Sequence, residues 1–438
     1  MLKLIIYQFR YSKKEWLGTV PLLFVSSIIV GTSLIGITSA SSSAVTSIQL
    51  FQMLIFFGGM TLFFLVSNII KFLLDIFKKD YQLWTILGAS KSQLSVLIAG
   101  QFYLMAMITS LVGTLFSFII TEKYYHFLQN FLGHRDLPDL IVKANFQTIL
   151  LSIFIVPTIV GLSAFFYSRQ ILAKYNTSSM IGNKNTIRFI LSQIFIITIC
   201  LSIWGMCVSS LMADVSSKSA DNILQQTGSI LIILLIHLII IQVLSPFIQT
   251  YLVKLFIKIF GSSTYAINTS FWNLIYRPSY LKSLQTSVTM GLTLISGFVL
   301  YIQNTYIGDK INSTQEARFS FVAYMSAPII LILTSIISIT ILASNQDYKD
   351  ISQFRILGAS RKQLLKIRFF EALTHAVLIF LVSVIFNSVI LFFVNYGANL
   401  LGHGITTLTG FWLPSMIILC LMITFYVLTK GYYIWKDS

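Results

Sequence analysis

The chain has 438 residues, of which 56% are hydrophobic, 14% aromatic and 10% charged, with a mean hydropathy of +0.83 and a formal net charge of +16. That composition excludes an ordinary soluble globular domain and points to a chain whose solvent is lipid. The surplus of Lys and Arg reads as a topology signal and an attraction to anionic lipid heads, not as nucleic-acid binding.

Runs of about 20 apolar residues, each enough to cross roughly 30 Å of hydrocarbon as a helix, are predicted near 17–37, 51–74, 95–120, 146–167, 189–212, 227–252, 286–304, 320–343, 369–394 and 411–430. The expected fold class is an all-α integral membrane protein with about ten transmembrane helices. An even number puts both termini on one side. With that side cytoplasmic, the cytoplasmic segments hold 24 of the 30 Lys and Arg residues, which is the bias that orients such chains. The expected location is the cell membrane, multi-pass, with the lipid bilayer as partner and both termini in the cytoplasm.

The N-terminal lead-in sets Leu2, Ile5, Ile6 and Phe9 at helical spacing opposite Lys3, Arg10 and Lys14. Both a helix lying in the membrane interface and plain flanking anchors fit it. A cleaved secretory signal is not expected, because the basic lead-in and the apolar run after it are both too long. A second basic, aromatic lead-in spans Ser270 to Lys282.

The spans group as four, two and four: residues 1–167, 168–258 and 259–438. The grouping rests on the string ILGAS-x-x-QL, which occurs at Ile86 to Leu94 and again at Ile356 to Leu364, an offset of 270 residues. Asp80 and Asp350 precede the two copies, and Gln101 aligns with Glu371 at the start of the next span. Each copy joins the second helix of its half to the third, so the halves form a parallel repeat, with a pseudo-twofold axis expected along the membrane normal. The two central spans have no counterpart in either half. Their Gln193, His237 and Gln242 read as hydrogen-bonding residues between helices rather than as a site. Cys200, Cys207 and Cys420 read as packing residues without metal-ligand spacing.

In each connector the residue types specify a helix, a tight corner and a second helix. Gly88 and Gly358 can take the left-handed conformation that ends a helix. Ser90 and Ser360 can cap the next helix, with Gln93 and Gln363 three residues on to complete a capping box. The corner would act as a lever at the cytoplasmic face, suited to docking on another protein, with Leu87, Gly88, Ala89, Ser90 and Gln93 in the first copy and Leu357, Gly358, Ala359, Ser360, Arg361 and Gln363 in the second. The second copy is the more basic, with Arg355, Arg361, Lys362, Lys366 and Arg368 where the first has Lys91 and few others. Charge this near a bilayer also attracts lipid phosphate, so docking does not follow from charge alone.

With its duplicated connector, Glu371 and four-helix units, the chain resembles the FtsX/MacB-type permease family of ABC transporters. The four, two, four plan resembles the ten-helix, BceB-like branch that serves antimicrobial-peptide resistance in Gram-positive bacteria. The resemblance implies mechanotransmission: a separate cytosolic ABC ATPase homodimer binds ATP and Mg, closes, and drives the two connectors together, with one permease per two ATPases. A sensor histidine kinase is a candidate further partner, which the resemblance leaves open. The chain departs from the branch in its outer links, since Tyr306 to Ser320 is short where the branch carries a large extracellular domain, and Thr38 to Leu50 is short as well. The longest outer segment is Thr121 to Asn145, whose Tyr124, Tyr125, Phe127 and Phe131 suit contact with a lipid or an amphipathic substrate. A structured link fits the same residues.

No G-x-x-x-x-G-K-[ST], H-E-x-x-H or G-x-S-x-G string is present, and the five histidines are scattered. The expectation is a permease subunit that is not itself an enzyme and holds no cofactor or metal. A signalling scaffold that relays ATPase-driven motion to a kinase without moving a substrate is the alternative. A secondary transporter ranks below both, because the predicted membrane centres hold almost no ionisable residues.

Overall fold

The computed structural model describes residues 7, 16–40, 45–132, 137–143, 145–175, 198–199, 201–213, 220–260, 264–276, 278–305, 310–402 and 404–436. Among them the regular structure is helical throughout. The helices are α1 (Val20–Ser39), α2 (Val45–Ile76), α3 (Lys78–Ile86), α4 (Lys91–Leu132), α5 (Phe146–Tyr175), α6 (Leu201–Leu211), α7 (Ala220–Phe260), α8 (Tyr265–Tyr276), α9 (Pro278–Thr305), α10 (Lys310–Ile356), α11 (Arg361–Leu400) and α12 (Thr409–Lys436). Eight described helices are long and apolar enough to cross a bilayer, and the apolar segments Leu201–Leu211 and Thr409–Thr424 are shorter. The chain is a multi-pass, all-α membrane protein. Residues 189–197 and 200 of the run predicted at 189–212 lie outside the described residues, Gln193 and Cys200 among them, as does nearly all of the N-terminal lead-in.

The chain divides into two compact units. The first holds residues 1–192 together with 308–342, and the second holds 193–307 together with 343–438. Helix α10 thus belongs to both, whereas the repeat grouping places its whole length within 259–438.

In the first unit α1 sits in the middle, against α2, α4 and α5. Its small residues allow this. A Cβ on Gly31 would meet Ser117 Oγ at 2.6 Å, and one on Gly113 of α4 would meet Ser27 Cβ at 2.7 Å, so the two backbones approach as closely as glycine permits. Close approach of this kind drives helix association where lipid supplies no hydrophobic force. Several α1 hydroxyls are satisfied inside the helix, Ser26 Oγ donating to the Leu22 carbonyl and Ser33 Oγ to that of Ile29. The N-terminal part of α10 joins this unit through Ser338, whose Oγ accepts the Leu22 N–H at 3.2 Å.

In the second unit α9 is central, packed on α7, α11 and α12. Gly297 faces Leu234 and Ile390, where a side chain would collide. Helix α9 is unusually polar for a buried element, with Ser283, Gln285, Thr286, Ser287, Thr289, Thr293 and Ser296 all removed from solvent. Gln285 Nε2 lies 3.1 Å from His375 Nδ1 on α11. His237 of α7 is buried edge-on to the Phe386 ring at 5.3 Å, a packing position. Most of the second lead-in falls on α8, which buries Ala266, Ser270, Phe271 and Leu274 and exposes Tyr265, Trp272 and Tyr276. One apolar face with aromatic residues on the other suits a helix at the membrane interface. Cys207 is half-buried against the α6 core cluster, and Cys420 is exposed.

Candidate functional site

The two connectors fold as their residue types require. In the first, the Gly88 N–H donates to the Thr85 carbonyl at 3.1 Å and the Ala89 N–H to the Trp84 carbonyl at 2.9 Å, with Gly88 at φ +94°. This is a Schellman ending, which satisfies carbonyls that a helix end leaves open and needs a left-handed residue where glycine stands. The chain then turns at once into α4. The Gln93 N–H donates to Ser90 Oγ at 3.2 Å, and the Ser90 N–H donates to Gln93 Oε1 at 2.9 Å.

The second connector repeats each bond. The Gly358 N–H donates to the Arg355 carbonyl and the Ala359 N–H to that of Phe354, both at 2.9 Å, with Gly358 at φ +85°. Ser360 caps α11 through the Gln363 N–H at 3.4 Å, and the Ser360 N–H donates to Gln363 Oε1 at 2.8 Å. Each corner therefore joins two helices through four residues, 87–90 and 357–360, whose hydrogen bonds fix their geometry.

The corners are stiffened from below. In the first, Tyr81 and Leu94 are buried, and an aromatic stack runs from Phe77 to Trp16 at 6.2 Å and from Trp16 edge-on to Phe102 at 4.9 Å. Burial, with Asp80 adding to it, pushes the Tyr81 phenol well above its usual range, so it stays protonated at any physiological pH. In the second, the equivalent Ile351 and Leu364 are buried, with Phe354 and Ala359 packed against them. A load applied at either tip passes into packed helices rather than being absorbed by local bending.

What the tips present is apolar. Ile86 is 81% exposed and Leu87 85%, and at the aligned positions Ile356 is 83% exposed and Leu357 81%. Two large aliphatic side chains held in the open at both corners, next to polar helix segments, are worth roughly 1.5–3 kcal/mol each to an occupant that buries them. Leu87 and Leu357 were expected at the site. Ile86 and Ile356 complete it, and the signal for them was their place at the apex of a polar connector. Ser90, Gln93, Ser360, Arg361 and Gln363 are also exposed around the tips, and Ala89 and Ala359 are half-buried beneath them. No protein-family model matches the chain, and no curated protein matches it.

The two helices leaving the corners differ where they enter the membrane. Arg368 does not belong to the exposed basic group as the sequence suggested. It is buried, with Nη1 2.6 Å from Glu371 Oε2, one helical turn on. A carboxylate at this depth needs a partner cation, and the i, i+3 spacing was the available signal. The first repeat carries the neutral residues Ile98 and Gln101 at the same positions. Gln101 is buried there with neither amide atom hydrogen-bonded.

At the other candidate contact, residues 121–132 continue α4 rather than forming a loop. The Tyr124 hydroxyl lies 3.1 Å from both the Ala323 carbonyl, to which it donates, and Ser326 Oγ. Tyr125 is buried, its hydroxyl donating to the Pro138 carbonyl at 2.6 Å and lying 2.8 Å from Ser47 Oγ. These two tyrosines fasten the outer end of the first unit. Phe127 is half exposed, and the side chain of Phe131 lies outside the described residues.

Proposed function

We propose that this chain is the transmembrane permease subunit of an ABC transporter, coupling a separate cytosolic ATPase homodimer to export, extraction or detoxification of an amphipathic substrate, an antimicrobial peptide or a lipid. The observation that carries this reading is the pair of equivalent, rigid corners, each with an Ile–Leu pair more than 80% exposed. Two equivalent knobs on one chain call for two equivalent grooves, which a homodimeric motor supplies, and this favours one permease per two ATPases. The reading places both termini in the cytoplasm of a Gram-positive cell, the three segments 1–167, 168–258 and 259–438 as two FtsX-like repeats around a two-helix insert, and ATP with Mg on the partner. Phe127, half exposed on α4, is a candidate for contact with that substrate.

The test is the mass of the complex purified from native membrane. One copy of this chain with two ATPase subunits is expected, and two copies per ATPase dimer would overturn the reading. Substrate-stimulated ATP turnover in liposomes without further proteins separates transport from a scaffold that signals to a histidine kinase, because the scaffold requires no such stimulation.

A further inference from the structure

The second unit gathers small polar side chains deep in its apolar spans. Ser296 lies well inside the α9 span Lys282–Thr305, Ser383 and Asn387 inside the α11 span Arg361–Leu400, and Ser415 inside the α12 stretch Thr409–Thr424. All four are at most 1% exposed. Helix packing brings them to one level. A Cβ on Gly297 would meet Ile390 of α11, and one on Gly410 of α12 would meet Val299 and Leu300 of α9. Counted from those contacts at about 1.5 Å per residue, Ser296 stands within about one helical turn of both Asn387 and Ser415.

The protein leaves the hydrogen bonding of this group incomplete. Asn387 Nδ2 donates to Ser383 Oγ, and Ser383 Oγ shares a hydrogen with Ser415 Oγ, both at the long distance of 3.3 Å. Asn387 Oδ1 and Ser296 Oγ are buried without a hydrogen-bonding partner. Exchanging the oxygen and nitrogen of the amide only moves the deficit to the nitrogen. Turning the Ser296 hydroxyl back onto its own helix leaves the amide as before. Backbone N–H groups in the middle of a helix are already spent on carbonyls one turn back, and at this depth lipid offers no donor. The three serines around the amide contribute little volume, so the helices meet here through small side chains and long bonds.

From this we infer that Ser296, Ser383, Asn387 and Ser415 form a binding site for water in the membrane interior, where bound water links α9, α11 and α12. The four side chains are neutral and offer both donors and acceptors, which fits a molecule that does both. They supply no charge to hold an ion at this depth. A buried water typically makes about three hydrogen bonds, and Asn387 Oδ1, Ser296 Oγ and the serine pair provide them. Bonds between the helices then run through a molecule that exchanges. Helix α11, which leaves the second corner, can shift against α9 and α12 and re-form them. The site itself does not depend on what the corners bind.

The experiment uses the full-length chain with Cys200, Cys207 and Cys420 replaced by alanine and one cysteine introduced, as Ser296→Cys or, for reference, as Ser287→Cys. Ser287 is equally buried on α9, its Oγ donating to the Ser283 carbonyl, and it stands half a rotation away from Ser296. Each protein is treated in native membranes with methanethiosulfonate ethylammonium and its modification followed by mass. The reagent attacks the thiolate, which a dry apolar setting suppresses, so Ser296→Cys should react about ten-fold faster or more. Adding Asn387→Leu should bring that rate down to the rate of Ser287→Cys. Water-edited solid-state NMR of the unsubstituted protein reads the site without a variant, and strong transfer from water to the Asn387 side-chain amide is expected. Equal rates at 296 and 287, or a Ser296→Cys rate that Asn387→Leu leaves unchanged, would overturn the inference, as would an Asn387 amide that receives nothing from water.

Discussion

Removing one partner of the Arg368–Glu371 pair should be far more damaging than removing both. The two side chains are 4% and 3% exposed and 2.6 Å apart, so Arg368→Ile leaves a carboxylate, and Glu371→Gln a guanidinium, without its ion-pair partner in a low-dielectric interior. Breaking a buried pair in this way costs about 3–5 kcal/mol, whereas neutral replacement of both costs little. The double variant Arg368→Ile, Glu371→Gln installs the residues that the first repeat carries at Ile98 and Gln101. It should lose no more than about 1 kcal/mol, giving a coupling of roughly 3 kcal/mol or more between the positions. The assay is reversible unfolding in one mixed-detergent system, followed by tryptophan fluorescence, with membrane abundance of all four proteins measured alongside. Single variants within about 1 kcal/mol of wild type, or a double variant as unstable as the sum of the singles, would refute the argument.

Gly358→Ala should cost about 1–2 kcal/mol at the second corner, because the backbone sits at φ +85° in otherwise open space; protease cleavage at the corner reads the loss. Ser360→Ala should remove about 1 kcal/mol of capping and raise amide exchange at Gln363, with Ser360→Asp restoring protection. Gly113→Val should sharply reduce folded protein in the membrane, since even a Cβ there meets Ser27 at 2.7 Å and the Phe24 carbonyl at 3.2 Å, while Gly59→Ala, with open space around it, should be neutral by the same abundance measurement. Tyr125→Phe should destabilise the outer end of the first unit by about 1–3 kcal/mol, by leaving the Ser47 hydroxyl and the Pro138 carbonyl without their partner; a lower melting temperature checks it.

The corners were legible because their chemistry is local. Gly88 and Gly358 need a left-handed backbone, and Ser90–Gln93 and Ser360–Gln363 bond within three residues. The spans were legible for the same reason, as hydropathy is a property of each stretch alone. What escaped depends on partners distant in sequence. That residues 308–342 pack in the first unit follows from such contacts as Leu22 with Ser338 and Tyr124 with Ala323, and no pattern within α10 declares them. The predicted spans were ended where charges begin, yet α4 and α10 carry their helices through Glu122, Lys123 and Glu316. Polarity marks where lipid ends, not where helical hydrogen bonding ends. Arg368 was counted with the basic residues of the second connector, because its burial is set by tertiary packing.

The most direct test of the central claim is a pull-down of the tagged full chain from native membrane, comparing the ATPase activity of the eluate between wild type and a Gly88→Pro, Gly358→Pro variant. Proline holds φ near −65°, incompatible with +94° and +85°, and it removes the N–H groups that bond the Thr85 and Arg355 carbonyls. An ATP-hydrolysing subunit recovered with wild type and lost with the variant is the expected result. If no ATPase comes down with either protein, or the same amount with both, the corners are not where a motor drives this chain.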